Sequence, residues 1–581
     1  MSPSATPTVT QPAPYADLLH AVRTLREQVG RVRLPLEIAG VDAARTARRR
    51  LLDQLDDYVL PRLERLDAAL LVVVGGSTGA GKSTLVNSLV GAQVSRSGVL
   101  RPTTRGPVLV HHPADGEWFT DRRLLPGLPR ITGDAEGERA APGALVLVES
   151  PAVPMGLALL DAPDVDSVVA ANRELAAQLL GAADLWLFLT TAARYADAVP
   201  WDLLREAAER SAAVAVVLDR VPPEAIEEVR AHLAQMLRAE RLGESPLFVV
   251  PETTLVDGRL PGPVVESLRG WLHGLASDAA ARAEVARATL AGVLASYAAR
   301  VPALADALAA QEQAVAQLRE AARSAYDAAA EAVDEGMRDG SLLRGEVLAR
   351  WQDVVGTGDL LRGLQTRIGR VRDRLAAAAL GRPAPPEELA VALESGVEAI
   401  VLDEAGRAAA TTAAAWRRDP AGRALLTAGP PGLDRSSPGL PELTERAVRD
   451  WQGAVLDLVR REGLGKRRTA QVLAYGVNGT ALAVMVAVFA STGGLTGGEV
   501  VVAGGASALS QKVLEALLGD QAVRSLATQA RADLRRRVDE LLAAEAARFT
   551  DLVDAAAGDP DHAEVVRAAG RAVTAAAERA A

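Results

Sequence analysis

Apolar positions along this chain change their period twice. Between residues 15 and 70 they recur three and four apart: Leu18, Leu19, Val22 and Leu25 in one run, and Leu51, Leu52, Leu55, Val59 and Leu63 in another. That spacing predicts two amphipathic helices. Pro35 separates them, and Pro61 is expected to interrupt the second near its end. From Leu70 onward, short apolar runs alternate with helical stretches. The runs cover 70–74, 108–111, 144–148, 158–160, 185–189, 214–218 and 247–250. Strands alternating with helices predict a mostly parallel, helix-covered sheet, ending near Leu275.

From about residue 277 to 464 the strand signal disappears. Ala, Leu, Arg and Glu dominate at helical spacing, as in Val301, Leu304, Leu308 and Ala309. Long antiparallel helices are expected, with proline-rich loops at 381–386 and 430–441. Residues 469–498 then carry no charge, centred on 481–490 with Val484, Met485, Val486, Val488 and Phe489. A second apolar run, 500–506, follows a Gly-rich turn and Glu499; Arg460, Arg461, Lys466, Arg467 and Arg468 precede the first. A bilayer-spanning helix needs about twenty apolar residues. The first run reaches that length, and the second does so only if it includes Lys512. Three readings stay open: a hairpin dipping into one leaflet, a true span, or a buried helix pair with Gly–Ala packing. At a membrane, the basic cluster would meet anionic head groups at about 1 kcal/mol per charge.

The expected organisation is a tail over 1–14, helices over 15–69 packed on the stalk or the α/β domain, and an α/β P-loop domain over 70–275. A helical stalk over 276–465, an apolar tip or hairpin over 466–519 and a returning helix over 520–581 follow.

Composition narrows the chemistry. Hydrophobic residues make up 49% but aromatics only 3%; much of the rest is alanine, which favours helices. A net charge of -10 argues against bulk binding to nucleic acid. The absence of cysteine removes disulfides, thiolate catalysis and cysteine-held metals. His111 and His112 are adjacent but far from other ligand types, and read as surface or loop residues rather than a zinc site. Residues 1–14 are rich in Ser, Thr and Pro without an apolar centre, so a disordered tail and a cytoplasmic protein are expected.

The sharpest motif is G-x-x-x-x-G-K-[ST] from Gly76 to Ser83, with an apolar run before it and a helical run, from Thr84, after it. This strand–loop–helix context is that of a phosphate-binding loop. The backbone of Gly76, Ser77, Thr78, Gly79, Ala80 and Gly81 can turn its N–H groups around an oxyanion, and the helix start adds partial positive charge. Lys82 is expected on the outer phosphates and Ser83 on Mg²⁺. Asp161, at the end of a later strand, is expected to hold Mg²⁺ through a water. Ala162 follows it where a transporter-type ATPase has Glu, and no L-S-G-G-Q signature occurs.

With these residues the chain resembles the dynamin superfamily, in particular bacterial dynamin-like proteins. The resemblance rests on the segment Gly75–Gly91, on Arg101-Pro102-Thr103-Thr104-Arg105-Gly106-Pro107-Val108 as a first switch, on Asp161-Ala162-Pro163-Asp164 as a D-x-P-G-like motif, and on the loop Thr190–Asp197. It implies that Thr104 ligates Mg²⁺ and positions the attacking water, with Thr103 as fallback. It also implies a GTPase that is slow until G domains pair, with a second copy or a paralogue as partner. The apolar tip would engage anionic lipid, leaving the protein peripheral or hairpin-anchored at the inner face of the cell membrane.

The chain departs from that pattern in places. Asp164 replaces the glycine of D-x-P-G, and Thr78-Gly79 stand where Gln-Ser is common. After strand 214–218, where [NT]-K-x-D is usual, Asp219-Arg220-Val221-Pro222 occurs. Arg220 can stack on a purine and Asp219 can approach it, but Pro222 removes the base-reading carboxylate. No glutamine follows the third motif to orient water; Arg101 and Arg105 are the candidate charge-stabilising arginines, neither assignable. The leading reading is a Mg²⁺-dependent GTPase that remodels membranes. The alternatives are a nucleotide-binding switch or scaffold with little hydrolysis, and a soluble P-loop ATPase.

Overall fold

The computed structural model describes residues 13–95, 106–132, 144–166, 170–209, 213–240, 242–338, 386–463, 486 and 520–580. By packing, the chain divides into two units. The first comprises Met1–Leu34, Gly40–Ala310 and Gly558–Ala581, the second Pro35–Ala39 and Gln311–Ala557.

Eight strands build the first unit's sheet: β1 (Leu70–Gly76), β2 (Val108–His111), β3 (Arg130–Thr132), β4 (Leu145–Glu149), β5 (Leu157–Asp161), β6 (Leu185–Thr191), β7 (Ala213–Val221) and β8 (Leu247–Pro251). Their order is β3-β4-β2-β5-β1-β6-β7-β8. Neighbours are parallel except β2 against β5. Seven of the eight coincide with the apolar runs. The eighth, β3, is Arg-Ile-Thr, too short to carry a period. Every residue of β1, β5 and β6 is buried, as in strands covered on both faces.

The helices of this unit are α1 (Ala13–Arg31), α2 (Val41–Gln54), α3 (Leu60–Glu64), α4 (Lys82–Val90), α5 (Gly116–Thr120), α6 (Ala170–Gly181), α7 (Ala198–Glu209), α8 (Ile226–Ala239) and α9 (Gly262–Ser277). One core joins Leu85, Val86 and Leu89 of α4 and Leu268 and Leu272 of α9 to Val72, Val74 and Leu187. The other gathers Leu179, Trp201, Leu204 and Leu233 from α6, α7 and α8 around Val73, Leu160 and Phe188. The break expected at Pro61 does not occur. A π-helical turn over Leu55–Val59 carries the chain on, and Pro61 falls in the first turn of α3, where proline's fixed φ suits a helix.

The described residues of the second unit are helical: α10 (Ala279–Arg338), which enters at Gln311, α11 (Pro386–Arg418), α12 (Pro420–Ala428), α13 (Leu440–Gly463) and α14 (Asp520–Ala556). Asp419 caps α12, its carboxylate accepting from Ala421 N at 2.8 Å and Gly422 N at 3.0 Å. With few aromatics, the core is built around two fully buried tryptophans whose indole N–H groups are both satisfied. Trp416 donates to Leu318 O at 3.2 Å and Trp451 to Ala530 O at 2.7 Å.

The C-terminal segment does not return to this unit as a whole: after Gly558, α15 (His562–Ala580) belongs to the first unit and packs against α1. Within α10, Ala279–Met337 is long and apolar enough to cross a membrane by length and composition, with 44% of its most apolar window buried.

Candidate functional site

The carboxyl ends of parallel strands, where neighbouring connections leave in opposite directions, form a natural ligand crevice. β1 lies between β5 and β6, and the loop leaving it leads into α4. Gly76 passes so close to β6 that a Cβ there would sit 2.2 Å from Leu189 O. Gly79 and Gly81 adopt left-handed φ values of 77° and 99°, which turns the backbone inward. Lys82 and Ser83 then open α4, and Thr84 continues it.

Lys82 is 6% exposed. Its ammonium donates to Gly76 O at 3.0 Å, Ser77 O at 3.2 Å and the Asp164 carboxylate at 2.5 Å. The acid that replaces glycine in D-x-P-G thus neutralises the lysine. A second acid reaches the loop itself. The Asp166 carboxylate accepts from Thr78 N at 2.5 Å and Thr78 Oγ1 at 2.6 Å, and its other oxygen accepts from Arg194 at 3.0 Å. Burial works against the Asp166 charge, but the Thr78 and Arg194 bonds outweigh it and hold the carboxyl below its usual range. Arg194 also donates to Thr78 O at 3.0 Å and to Asp197 at 2.7 Å.

Asp161 closes β5 beneath the loop. One oxygen accepts from Ser83 Oγ and Ser95 Oγ, both at 2.5 Å; the other, Oδ1, is buried with no partner. Burial raises its pKa, against the two hydroxyls and Lys82. Ser95 is held by Asn87, whose side-chain oxygen accepts from Val94 N and Ser95 N at 2.8 Å and whose amide donates to Ser95 O at 2.7 Å. A hydroxyl, a strand-end carboxylate and an unpaired buried acceptor suit a hard cation that also binds phosphate and water. Among the described residues no group of three His, Cys, Asp or Glu could hold a metal; Ser83 and Asp161 are the described residues placed to face a Mg²⁺.

At the end of β7, Arg220 has a left-handed φ of 54° and donates to Gly79 O at 2.6 Å. The Asp219 carboxylate lies 3.1 Å from where a Gly81 Cβ would be. Burial raises its pKa against the opposing Arg220 charge, and Oδ1 has no partner. The structure thus brings Gly76–Thr84, Asp161, Asp219 and Arg220 to one crevice. Thr103, Thr104, Arg101 and Arg105 lie outside the described residues, as do Val484, Met485, Val488 and Phe489. Val486 is described, and is buried in the helical core. His111 is a buried strand residue, 5.5 Å from the Phe119 ring and not a loop residue. Sequence reasoning gave no role to Asp166, Arg194 or Ser95. The signal for the first was a second acid two places after Asp164.

A separate cleft of about 300 Å³ is lined by Arg49, Arg50, Asp53, Arg173, Glu174 and Arg300 among others. None of its lining residues belongs to the loop Gly76–Ser83.

No family profile matches the chain, and no curated protein matches its sequence. Among solved structures, it is similar to one of an oligomerised bacterial dynamin pair described as providing a mechanism for long-range sensing and tethering of membranes. The identity is 15% and the TM-score 0.28, over 55% of this chain and 62% of that one. A second structure with the same description is 10% identical, with a TM-score of 0.40 over 98% of this chain and 96% of that one. The chain therefore spans about three fifths of the length of the first.

Proposed function

We propose that the chain binds Mg²⁺ and a nucleoside triphosphate, GTP, at the loop Gly76–Ser83, hydrolyses it slowly, and uses the cycle to act on a membrane surface. One observation carries the nucleotide part: two carboxylates, Asp164 and Asp166, already stand against the donors of a phosphate loop, as phosphate oxygens would. The loop N–H groups and Lys82 would hold the phosphates. Ser83, with Asp161 through water, would hold Mg²⁺, which when bound neutralises charge on the bridging and terminal oxygens. Arg220, against Gly79, would lie along the base, with Asp219 beside it. Guanine rests on the resemblance of this pair to the family's base motif, since Pro222 stands where that motif has its base-reading carboxylate. The membrane part rests on the uncharged stretch 469–498 and the basic residues before it; a second copy or a paralogue is the proposed partner.

One observation favours a second reading, a switch with little turnover: Lys82 is paired with Asp164, and the terminal phosphate must break that pair. Phosphate release from GTP and from ATP, with and without vesicles rich in anionic lipid, separates the readings. Vesicle-stimulated GTP turnover is expected. Binding without turnover selects the switch. ATP-only turnover with no vesicle co-sedimentation selects a soluble ATPase and removes the membrane role.

A further inference from the structure

Sequence position directs attention to Arg101 and Arg105 as the arginines nearest the first switch. The folded chain brings a different arginine to the phosphate loop. Arg194, on the loop after β6, bonds Thr78 O at 3.0 Å and the carboxylate that Thr78 N–H and Thr78 Oγ1 both hold. The Asp166 carboxylate therefore sits in a three-donor anion seat, two donors from the loop and one a guanidinium. Asp197 also accepts from the arginine Nε at 2.7 Å and steadies it. A planar fork with one edge on a backbone carbonyl and another on an anion is preorganised for a phosphoryl oxygen.

We propose that Arg194 is a catalytic residue supplied by the chain to its own site. An entering triphosphate displaces the Asp166 carboxylate, and the guanidinium passes to an oxygen of the terminal phosphoryl group. In hydrolysis the water oxygen bonds to the terminal phosphorus as the bond from that phosphorus to the bridging oxygen breaks. The electron pair leaves on the diphosphate, and the water proton passes to the released phosphate. Charge builds on the terminal and bridging oxygens, where a fixed cation lowers the barrier. Asp166 is then a resident competitor that leaves only for a ligand of higher negative charge.

The proposal rests on the nucleotide reading above, and the test separates the two. Wild type, Arg194→Ala, Arg194→Gln and Asp166→Asn are compared for GDP affinity, GTP turnover and formation of the GDP–aluminium fluoride complex. Arg194→Ala is expected to keep GDP affinity within about threefold while turnover falls roughly 10³-fold, as for other arginines that stabilise phosphoryl transfer, and the fluoride complex is lost. Arg194→Gln keeps a donor to Thr78 O, which guards the loop fold, and is expected to match Arg194→Ala in turnover. Asp166→Asn is expected to bind GTP more tightly. Unchanged turnover in both arginine variants overturns the proposal. So does a parallel fall of GDP affinity and turnover, which marks a purely structural arginine. Wild type that neither binds nor turns over any nucleotide overturns the nucleotide reading itself.

Discussion

The two ends of the central strands each bury an aspartate, on opposite terms. At the amino end Asp184 precedes β6 and is paired with Arg62, which lies beside it with both side chains shielded from solvent. The same carboxylate accepts from Leu71 N at 2.8 Å, and Arg62 also donates to Ala68 O and Ala69 O. The buried Tyr58 hydroxyl lies against it and has its own pKa pushed well up by burial. At the carboxyl end Asp161 accepts hydrogen bonds from two hydroxyls and from no cation, while in both aspartates the second carboxylate oxygen is buried without a hydrogen-bond partner. A charge held by a full cation and a backbone donor fastens strands together. A charge held by hydroxyls alone can exchange partners. The first arrangement belongs to architecture, and the second suits the proposed ligand site.

This contrast can be broken at its strongest point first. Arg62→Ala leaves Asp184 buried without its cation, and about 3–5 kcal/mol of stability should be lost, read as a lower midpoint in urea. Nucleotide affinity of the folded fraction should be unchanged. A midpoint equal to wild type would mean that the pair does not fasten the sheet.

Next is Asp57, in the π-helical turn, which accepts from Gln178 of α6 at 2.7 Å. Burial raises its pKa from 3.8 to about 7, against the Gln178 bond, with Asp53 and Asp56 adding to the rise. Between these values the folded state binds the extra proton, so stability must fall as pH rises from about 4 to 7 and level off above. The contribution is at most about 4 kcal/mol. Asp57→Asn should flatten that part of the pH–stability curve, and a curve still falling as steeply would exclude Asp57 as its source.

The smallest change is Lys82→Ala. It removes a cation whose charged hydrogen bonds are worth about 1.5–3 kcal/mol, so triphosphate affinity should fall roughly ten- to a hundredfold. The urea midpoint should move little, since Lys82 is held by carbonyls and one half-exposed acid. Equal affinity would remove the loop from the site.

The strand–loop–helix turn at Gly76–Ser83 was legible because glycine spacing, lysine and a preceding apolar run are local. The seven apolar strands were legible for the same reason. β3 was not, because three residues such as Arg-Ile-Thr carry no period, and its pairing with β4 is settled by the sheet. Pro61 misled because a π-helical turn lets a proline begin a new helical segment without breaking the path. His111 carried two readings, the end of the strand run 108–111 and one of a surface or loop pair; the structure bears out the first, because the strand buries it. Arg194 and Asp166 could not be joined from the sequence, because what brings them to Thr78 is the order of β1, β5 and β6. The uncharged stretch was plain as composition, yet composition alone does not say what covers it.

The split membership of the last two helices has a consequence in time. The buried face of α1, with Leu18, Val22, Leu25 and Val29, packs against α15. The whole second unit is synthesised between them. At about 5–20 residues per second this delay is on the order of tens of seconds. Throughout it α1 leaves the ribosome with α2 and α3 to pack on but without α15, so a chaperone that shields apolar stripes is expected to bind the nascent chain until α15 arrives.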